Sequence, residues 1–281
     1  MLAPYVVGSL VLVVLPALAS FAYALTRYDG LGPPVYDGFD VLHDLFVSPE
    51  FQDSLRSTAL IALLAVPLRL LGALGLAMLL HRRERLAATG RVAALVPVLT
   101  PDAATALVWL WVVNPVYGPL GVAARALGFD VGPLLLDPWG ARLVIVGISA
   151  LALGEGFLVA LAARRELPAG LYDVARLEGA GPGATFRRVT LPLLAPVLAF
   201  LLVRDTVMAL QAPLVPTLIL TGGGPLNATK TLPVLVYEKG FRELRFGDAA
   251  AVAVVLFALT LVVAAVELAL VRRWLRRTAT R

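Results

Sequence analysis

The stretch LYDVARLEGAGPGATFRRVTLPLLAP, residues 171–196, decides the fold, because it places a charged, glycine-rich interlude between two long apolar runs. LYDVARLE has the length of about two helical turns. The glycines and the proline of residues 179–183 end such a helix and turn the chain. Pro168 can start the helix, since the first turn leaves its amide groups without partners in any case. The stretch therefore predicts a short helix and a tight turn outside the apolar segments.

The composition around this stretch is that of an integral membrane protein. Of the 281 residues, 59% are hydrophobic and 15% are charged, whereas soluble domains carry about 25% charged residues. The mean hydropathy is +0.86. The chain has no cysteine and two histidines, which excludes disulfides and thiolate metal sites and leaves too few histidines for a metal cluster.

Six apolar runs are long enough to cross a hydrocarbon core of about 30 Å. We expect Thr100-Pro101 to break the third run before Asp102, and Pro213 and Pro216 to stop or kink the fifth. The first run could instead be a secretory signal, but no basic region precedes it and it exceeds the roughly 7–15 apolar residues of a signal. The prediction is an all-α polytopic membrane protein, one domain over residues 1–281, with transmembrane helices near residues 3–25, 57–80, 92–113, 143–163, 191–213 and 249–271.

The distribution of lysine and arginine predicts the orientation in the membrane. The second and fourth connections and the carboxyl-terminal tail hold 14 of these residues, and the other three connections hold 8. Because basic connections stay in the cytoplasm, we expect both termini and the connection 164–190 on the cytoplasmic side of the plasma membrane.

Four charged residues fall well inside the predicted helices: Arg69, Glu155, Arg204 and Asp205. A charge at mid-bilayer costs at least about 2.5–3.5 kcal/mol on insertion scales, so such residues normally face protein or water. Two interpretations stay open. The residues pair structurally between helices, or some of them line a polar cavity for a hydroxylated solute.

The connection 164–190 resembles the cytoplasmic motif of ABC-importer permease subunits, written EAA, three residues, Gly, nine residues, Ile, one residue, Leu-Pro. Asp173-Val174-Ala175 stands at EAA, Gly179 at the glycine, Val189 at the isoleucine and Leu191-Pro192 at the end. The substitutions of Asp for Glu and Val for Ala keep the charge and the modest size. The resemblance implies the type I ABC-importer permease fold and a coupling helix that docks into a groove of an ATPase subunit. The coupling residues it implies are Leu171, Tyr172, Asp173, Val174, Ala175, Leu177, Glu178, Gly179 and Ala180.

Three further segments are similar to the sugar-transporter branch of that family, of the maltose and glycerol-phosphate type. They are NPVYGPLG at 114–121, LTGGGPLNATKTLPVLVY at 220–237 and FGDAAAVAVVLF at 246–257. In that branch, sugar contacts come from the middle of helix four and the second half of helix five. Glu155 replaces an aromatic residue of the maltose-type relatives. By position the resemblance implies a substrate pathway at Leu151, Ala152, Glu155, Thr206, Leu210 and Gln211.

The resemblance also implies the partners. We expect a second homologous permease, two ATPase subunits that carry ATP and Mg²⁺, and an extracytoplasmic solute-binding protein that faces the loop 221–230. The chain itself is expected to bind a carbohydrate or polyol within the lipid bilayer, but no cofactor, metal or nucleic acid, and to catalyse no reaction. The alternatives are a related permease for a polyamine or an anion, a secondary carrier, which would usually show repeated halves, and a membrane enzyme, for which no catalytic set is apparent.

Overall fold

The computed structural model describes residues 3–81, 84–128, 132–211 and 213–279. In chain order the elements are α1 (Ala3–Tyr23), β1 (Thr26–Arg27), β2 (Val35–Tyr36), α2 (Asp40–Val47), α3 (Pro49–Leu80), α4 (Arg85–Leu99), α5 (Asp102–Val112), α6 (Pro119–Ala126), α7 (Pro138–Leu151), α8 (Gly154–Arg165), α9 (Ala169–Leu177), α10 (Pro182–Gln211), α11 (Leu214–Leu220), α12 (Leu232–Tyr237) and α13 (Phe246–Ala279). A single 3₁₀ turn at Leu134–Leu136 precedes α7, and a π-helical turn at Glu238–Arg242 follows α12.

Four of the described helices, α1, α3, α10 and α13, are long and apolar enough to cross a membrane. The pairs α4/α5 and α7/α8 raise this number to six if each bent pair is one span. The all-α prediction is confirmed. The one departure in the described residues is a short antiparallel hairpin, in which Thr26 pairs with Tyr36 and Arg27 with Val35.

Helices α3, α10 and α13 begin earlier than the apolar runs predicted. The hydroxyl of Ser48 accepts a hydrogen bond from the amide of Phe51 at 3.2 Å and caps α3, and Pro49 occupies its first position, which is a common helix start. Helix α10 begins at Pro182, because the π-helical turn Phe186–Thr190 continues directly into Leu191. The connection between the fourth and fifth transmembrane segments therefore runs only from residue 166 to residue 181, and is shorter than the predicted 164–190. Helix α13 runs over Phe246–Ala279 rather than 249–271.

The third apolar run is broken where the sequence predicted it. Helix α4 ends at Leu99, Thr100 is extended with φ −88° and ψ 130°, and α5 begins at Asp102 with its axis turned by 104°. The residue before a proline avoids helical backbone angles, which accounts for the break. The transmembrane segment predicted near 92–113 is thus two helices, α4 and α5. The fifth predicted transmembrane helix, which is α10, also stops as expected, since it ends at Gln211 just before Pro213.

Helix α3 lies at the centre of the bundle and packs against α7, α8 and α10. Small buried residues follow its packed faces, so that neighbouring helices approach closely, as is usual in membrane bundles. These residues are Ala62, Ala65, Ala73 and Ala77. Helix α1 has no buried residue and meets the bundle mainly along α13, where the rings of Phe21 and Phe257 make an edge-to-face contact at 5.9 Å.

Candidate functional site

The predicted fourth helix, near 143–163, is bent by 42° between α7 and α8. Ala152 leaves the helical region, with ψ 39°, and the next helix begins at Gly154. A Cβ atom at Gly154 would lie only 2.8 Å from the carbonyl oxygen of Ala94. The bend therefore coincides with a close backbone approach between α8 and α4 that only glycine permits.

The bend is held by a buried charged side chain from α3. Arg69 donates a hydrogen bond from Nη2 to the carbonyl oxygen of Ala152 at 3.1 Å and lies 3.7 Å from Oδ1 of Asp205 on α10. Arg69 is 6% exposed and Asp205 is 2% exposed. A broken helix inside a membrane is tolerated where protein groups satisfy its freed carbonyls, and Arg69 does so here. The structural interpretation of the intramembrane charges therefore fits this pair.

The other two intramembrane charges lie at the edge of the bundle. Arg204 contacts the carboxylate of Glu155 through Nη2 and donates from Nη1 to Oδ1 of Asp205 at 3.0 Å. The side chain of Glu155 is 57% exposed and that of Arg204 is 23% exposed. A carboxylate accepts and a guanidinium donates hydrogen bonds, so this pair can bind hydroxyl groups on the open side of the bend.

The structure brings some of the predicted pathway residues together and separates others. Leu151, Ala152 and Glu155 share the exposed bend, and Gln211 is exposed at the end of α10. Thr206 and Leu210 are buried within the bundle. The Thr206 hydroxyl donates to Oε1 of Glu267 at 2.9 Å, and Leu210 belongs to the apolar cluster between α3 and α10.

The predicted coupling helix is α9, and its end explains the glycine of the motif. Gly179 has a φ of +72°, a left-handed conformation that glycine adopts without strain. The amide of Ala180 donates to the carbonyl of Ala175 at 2.9 Å, and the amide of Gly179 donates to that of Arg176 at 3.0 Å. These two bonds form a Schellman cap, which fixes where α9 ends and the chain turns towards α10.

One side of α9 rests on the bundle and the other is open. Ala175 is buried, and the hydroxyl of Tyr172 lies 3.1 Å from that of Thr190 in the π-helical turn of α10. The exposed residues of α9 and its end include Leu171, Val174, Leu177 and Glu178, of which Leu177 is 88% exposed. Asp173 is also exposed and lies 3.6 Å from Arg176. An apolar edge flanked by charges is a surface that a protein partner can cover.

The loop of residues 221–230, which follows α11 and is called the clamped loop below, is held by side chains that were not predicted from the sequence. The hydroxyl of Ser57 donates to the carbonyl of Asn227 at 3.1 Å, and Nε of Arg142 donates to that of Ala228 at 2.9 Å. The amide of Leu232 donates to the buried hydroxyl of Thr58 at 2.8 Å. The polar residues Ser57 and Thr58 of α3 were the only feature of the sequence that pointed to these contacts. At the tip, Leu226 is 90% exposed.

Charge pairs hold the base of the same loop. Nζ of Lys230 lies 2.8 Å from a carboxylate oxygen of Glu238 and 3.1 Å from one of Glu50. Partial burial alone would lower the pKa of Lys230, but the hydrogen bonds and charges of these two carboxylates outweigh it and raise the pKa above its ordinary value. Lys230 therefore stays charged throughout the physiological range, and the loop keeps this anchor.

The sequence-family model of the binding-protein-dependent transport system inner membrane component matches residues 50–276. The match extends from the start of α3 into α13 and includes the bend, α9 and the clamped loop. The chain belongs to this family. It is a membrane-spanning permease of a binding-protein-dependent transport system, and it is not an enzyme.

Individual relatives cover most of the permease. It is 32% identical over 251 residues to the sulfoquinovosyl glycerol transport system permease protein SmoG of Agrobacterium fabrum, covering 89% of this chain and 81% of that protein. It is 30% identical over 262 residues to the sn-glycerol-3-phosphate transport system permease protein UgpA of Rhizobium meliloti, covering 93% and 89%.

The permease shares its fold with a chain of a bacterial ABC transporter involved in the import of the acidic polysaccharide alginate. The TM-score is 0.83 at 21% sequence identity, over 97% of this permease and 94% of that chain. A second structure of an alginate ABC transporter, in complex with an alginate pentasaccharide-bound periplasmic protein, gives the same TM-score at 20% identity, over 98% and 93%. The resemblance to ABC-importer permeases and the predicted fold are confirmed.

Proposed function

We propose that the permease is one of two homologous membrane subunits of an ATP-driven importer for a carbohydrate, a polyol or a derivative of these. One of the two ATPase subunits would bind the exposed edge of α9, and a solute-binding protein would deliver the solute on the opposite side. The observation that carries the proposal is the preformed α9, with its glycine cap and open apolar edge, in a chain of this transport family.

The connectivity of α9 supports a coupling role. Helix α8 leads into α9 through residues 166–168, and α10 follows it after residues 178–181. Glu155 lies on α8 and Arg204 on α10. A displacement of α9 by closing ATPase subunits would therefore act on both helices that carry this exposed ion pair, and would move the two charges relative to each other.

The surface around Glu155 and Arg204 is proposed to line the solute pathway with Leu151, Ala152 and Gln211. Charges at mid-membrane are strongly disfavoured against lipid, so this open side would face the second permease and a hydrated path between the subunits. Thr206 and Leu210 would join it only if the subunit rearranges, since both are buried in this state.

The relatives support the solute class. They are named for sulfoquinovosyl glycerol and for sn-glycerol-3-phosphate, both hydroxylated molecules. An acidic derivative is the second candidate, because the guanidinium of Arg204 is partly exposed and could pair with an anionic group once Glu155 moves away. ATP and Mg²⁺ would be bound by the ATPase subunits, and this permease would hold no cofactor of its own.

The test is reconstitution of the full assembly in vesicles, with its binding protein and a panel of neutral sugars, polyols, sugar phosphates and uronic acids. We expect solute-stimulated ATP hydrolysis with at least one of these compounds, and matching uptake of that compound. Uptake that continues without the ATPase subunits would favour a secondary carrier. A polyamine is tested beside this panel, and stimulation by the polyamine alone would remove the carbohydrate class and leave the importer.

A further inference from the structure

A cavity of about 570 Å³ lies where the ends of α3 and α8 meet α9. Its charge is strongly unbalanced, since the described lining residues include four arginines and a histidine but a single carboxylate. They are Arg91, Arg164, Arg165, Arg176, His81 and Asp173. Such a concentration of guanidinium groups around an open cavity favours an anion.

Arg164 lines this cavity, and its guanidinium is held in place on one side. Its Nε atom is buried and has no hydrogen-bond partner among the described residues, although buried donors are nearly always satisfied. Its guanidinium carbon lies 4.5 Å from the centre of the Tyr172 ring, and this stacking fixes the orientation of the fork. Because the Nε atom has almost no exposed surface, an anion in the cavity would be bound through the end of the Arg164 fork.

Two of the coupling residues that the resemblance implies, Tyr172 and Asp173, line the cavity, whereas the outer edge proposed for the ATPase does not. Ala169, Tyr172, Asp173 and Arg176 line it, and their spacing of three, four and seven residues places them on one helix face. The apolar residues of the outer edge, such as Leu177, do not line it. The occupant would therefore be a small group between α9 and the bundle, while the outer edge stays free for a protein.

The cavity is lined by His81, which directly follows the last residue of α3, and by Arg165, the last residue of α8. It therefore lies at the level of the lipid headgroups. Basic pockets between helix ends on the cytoplasmic side are suited to phosphate-bearing headgroups. We propose that the cavity binds a phosphate group, from an anionic phospholipid or from free phosphate, and that its occupancy holds α9 against the bundle. The regulatory part rests on the proposed function of α9, whereas the binding part does not.

The test uses the complete purified assembly, first in nanodiscs of phosphatidylethanolamine alone and then with phosphatidylglycerol added. The variant is Arg164→Gln with Arg165→Gln. The matched control is Arg187→Gln with Arg188→Gln, which removes the same charge from the start of α10 outside the lining. Retained phosphatidylglycerol is counted by native mass spectrometry. We expect about tenfold weaker retention or more in the cavity variant, and retention unchanged from the unmodified assembly in the control.

A second arm separates the two sources of phosphate. Inorganic phosphate is titrated into the assembly in phosphatidylethanolamine nanodiscs, and thermal unfolding is followed. Stabilisation that disappears in the cavity variant assigns the site to free phosphate. Retention of phosphatidylglycerol without a phosphate effect assigns it to the lipid. Neither effect, or an equal loss in the control variant, overturns the proposal.

A third variant is needed because Arg164 also stacks on Tyr172, so that loss of binding in the cavity variant must be separated from loss of assembly. Arg176 is 79% exposed, so Arg176→Gln is compatible with folding and must also weaken phosphate or lipid binding. Binding is measured without solute or ATP. Normal binding with no solute-stimulated hydrolysis would remove the importer proposal alone, and normal hydrolysis with no binding would remove the cavity proposal alone.

Discussion

Arg69 on α3 donates a hydrogen bond across the bundle to the carbonyl oxygen of Ala152, at 3.1 Å, where the chain bends between α7 and α8. The guanidinium is in turn 3.7 Å from the carboxylate of Asp205 on α10. Three helices therefore meet through one buried side chain, and the bend that exposes Glu155 depends on it. Burial separates the two interpretations of the intramembrane charges. Arg69 is buried and fits structural pairing, whereas the side chain of Glu155 is exposed and accessible to a solute.

Arg69→Met is expected to destabilise the permease. The substitution leaves the Asp205 carboxylate and the Ala152 carbonyl without this donor, and breaking a buried ion pair costs about 3–5 kcal/mol. Arg69→Met with Asp205→Leu removes both charges and is expected to recover part of that loss. The measurement is thermal unfolding of the solubilised assembly.

Arg56→Met is the matched control for Arg69, because it lies on the same helix with its side chain 74% exposed. Exposed ion pairs contribute about 0–1 kcal/mol, so its unfolding temperature should hardly change. If Arg69→Met unfolds at the same temperature as Arg56→Met, the buried bond does not hold the bend.

Gly179→Ala is expected to weaken coupling without affecting insertion into the membrane. The position is open, since a Cβ atom there would have no neighbouring atom within 4 Å, but its φ is +72°, which costs other L-residues roughly 1–2 kcal/mol. Solute-stimulated ATP hydrolysis should fall several-fold. Gly179→Asn should restore most of it, because asparagine tolerates this conformation.

Gly183→Ala is the corresponding control, since this glycine is equally open and lies in the first turn of α10. Alanine is the better helix former there, so hydrolysis should be unchanged. Equal activity of Gly179→Ala and the unmodified permease would show that the cap does not need a left-handed residue.

Apolar runs were sufficient to predict where the long apolar helices lie, because length and hydropathy are local properties. Thr100-Pro101 revealed one break for the same reason. The bend at Ala152 has no proline, and its cause is an arginine 83 residues earlier in the chain together with the close approach at Gly154. Position along α10 predicts Thr206 on the pathway, but its side of the helix is decided by packing against Glu267. Tertiary contacts of this kind leave no periodic signal in the sequence.

Glu155→Ala is expected to change solute preference or transport rate while the assembly still forms. Arg204 keeps its hydrogen bond to Asp205, so the bundle loses only a half-exposed pair. A hydrogen bond to a charged group contributes about 1.5–3 kcal/mol, which corresponds to about a tenfold or larger change in KM. Glu166→Ala, beyond the end of α8, is the control, and kinetics of Glu155→Ala that match it would return Glu155 to a structural role.

Single cysteines test the orientation directly, because the chain contains none. Leu177→Cys on α9 and Leu226→Cys at the tip of the clamped loop replace side chains that are 88% and 90% exposed. In intact cells a membrane-impermeant thiol reagent should label position 226 and spare position 177, with the reverse in inverted vesicles. Labelling of position 177 from outside would place α9 away from the nucleotide and end the coupling proposal.

Thr58→Val is expected to loosen the loop that the solute-binding protein is proposed to contact. The change keeps the shape of the side chain but removes the acceptor for the amide of Leu232, which is fully buried. An unsatisfied buried donor costs about 1–3 kcal/mol. Hydrogen exchange of residues 221–232 should therefore accelerate, and stimulation by the binding protein should weaken.

Thr260→Val provides the control, since that buried hydroxyl donates only to Leu256 of its own helix, a bond that contributes little. If both variants exchange at the rate of the unmodified permease, the loop is held by Lys230 and its carboxylates rather than by Thr58.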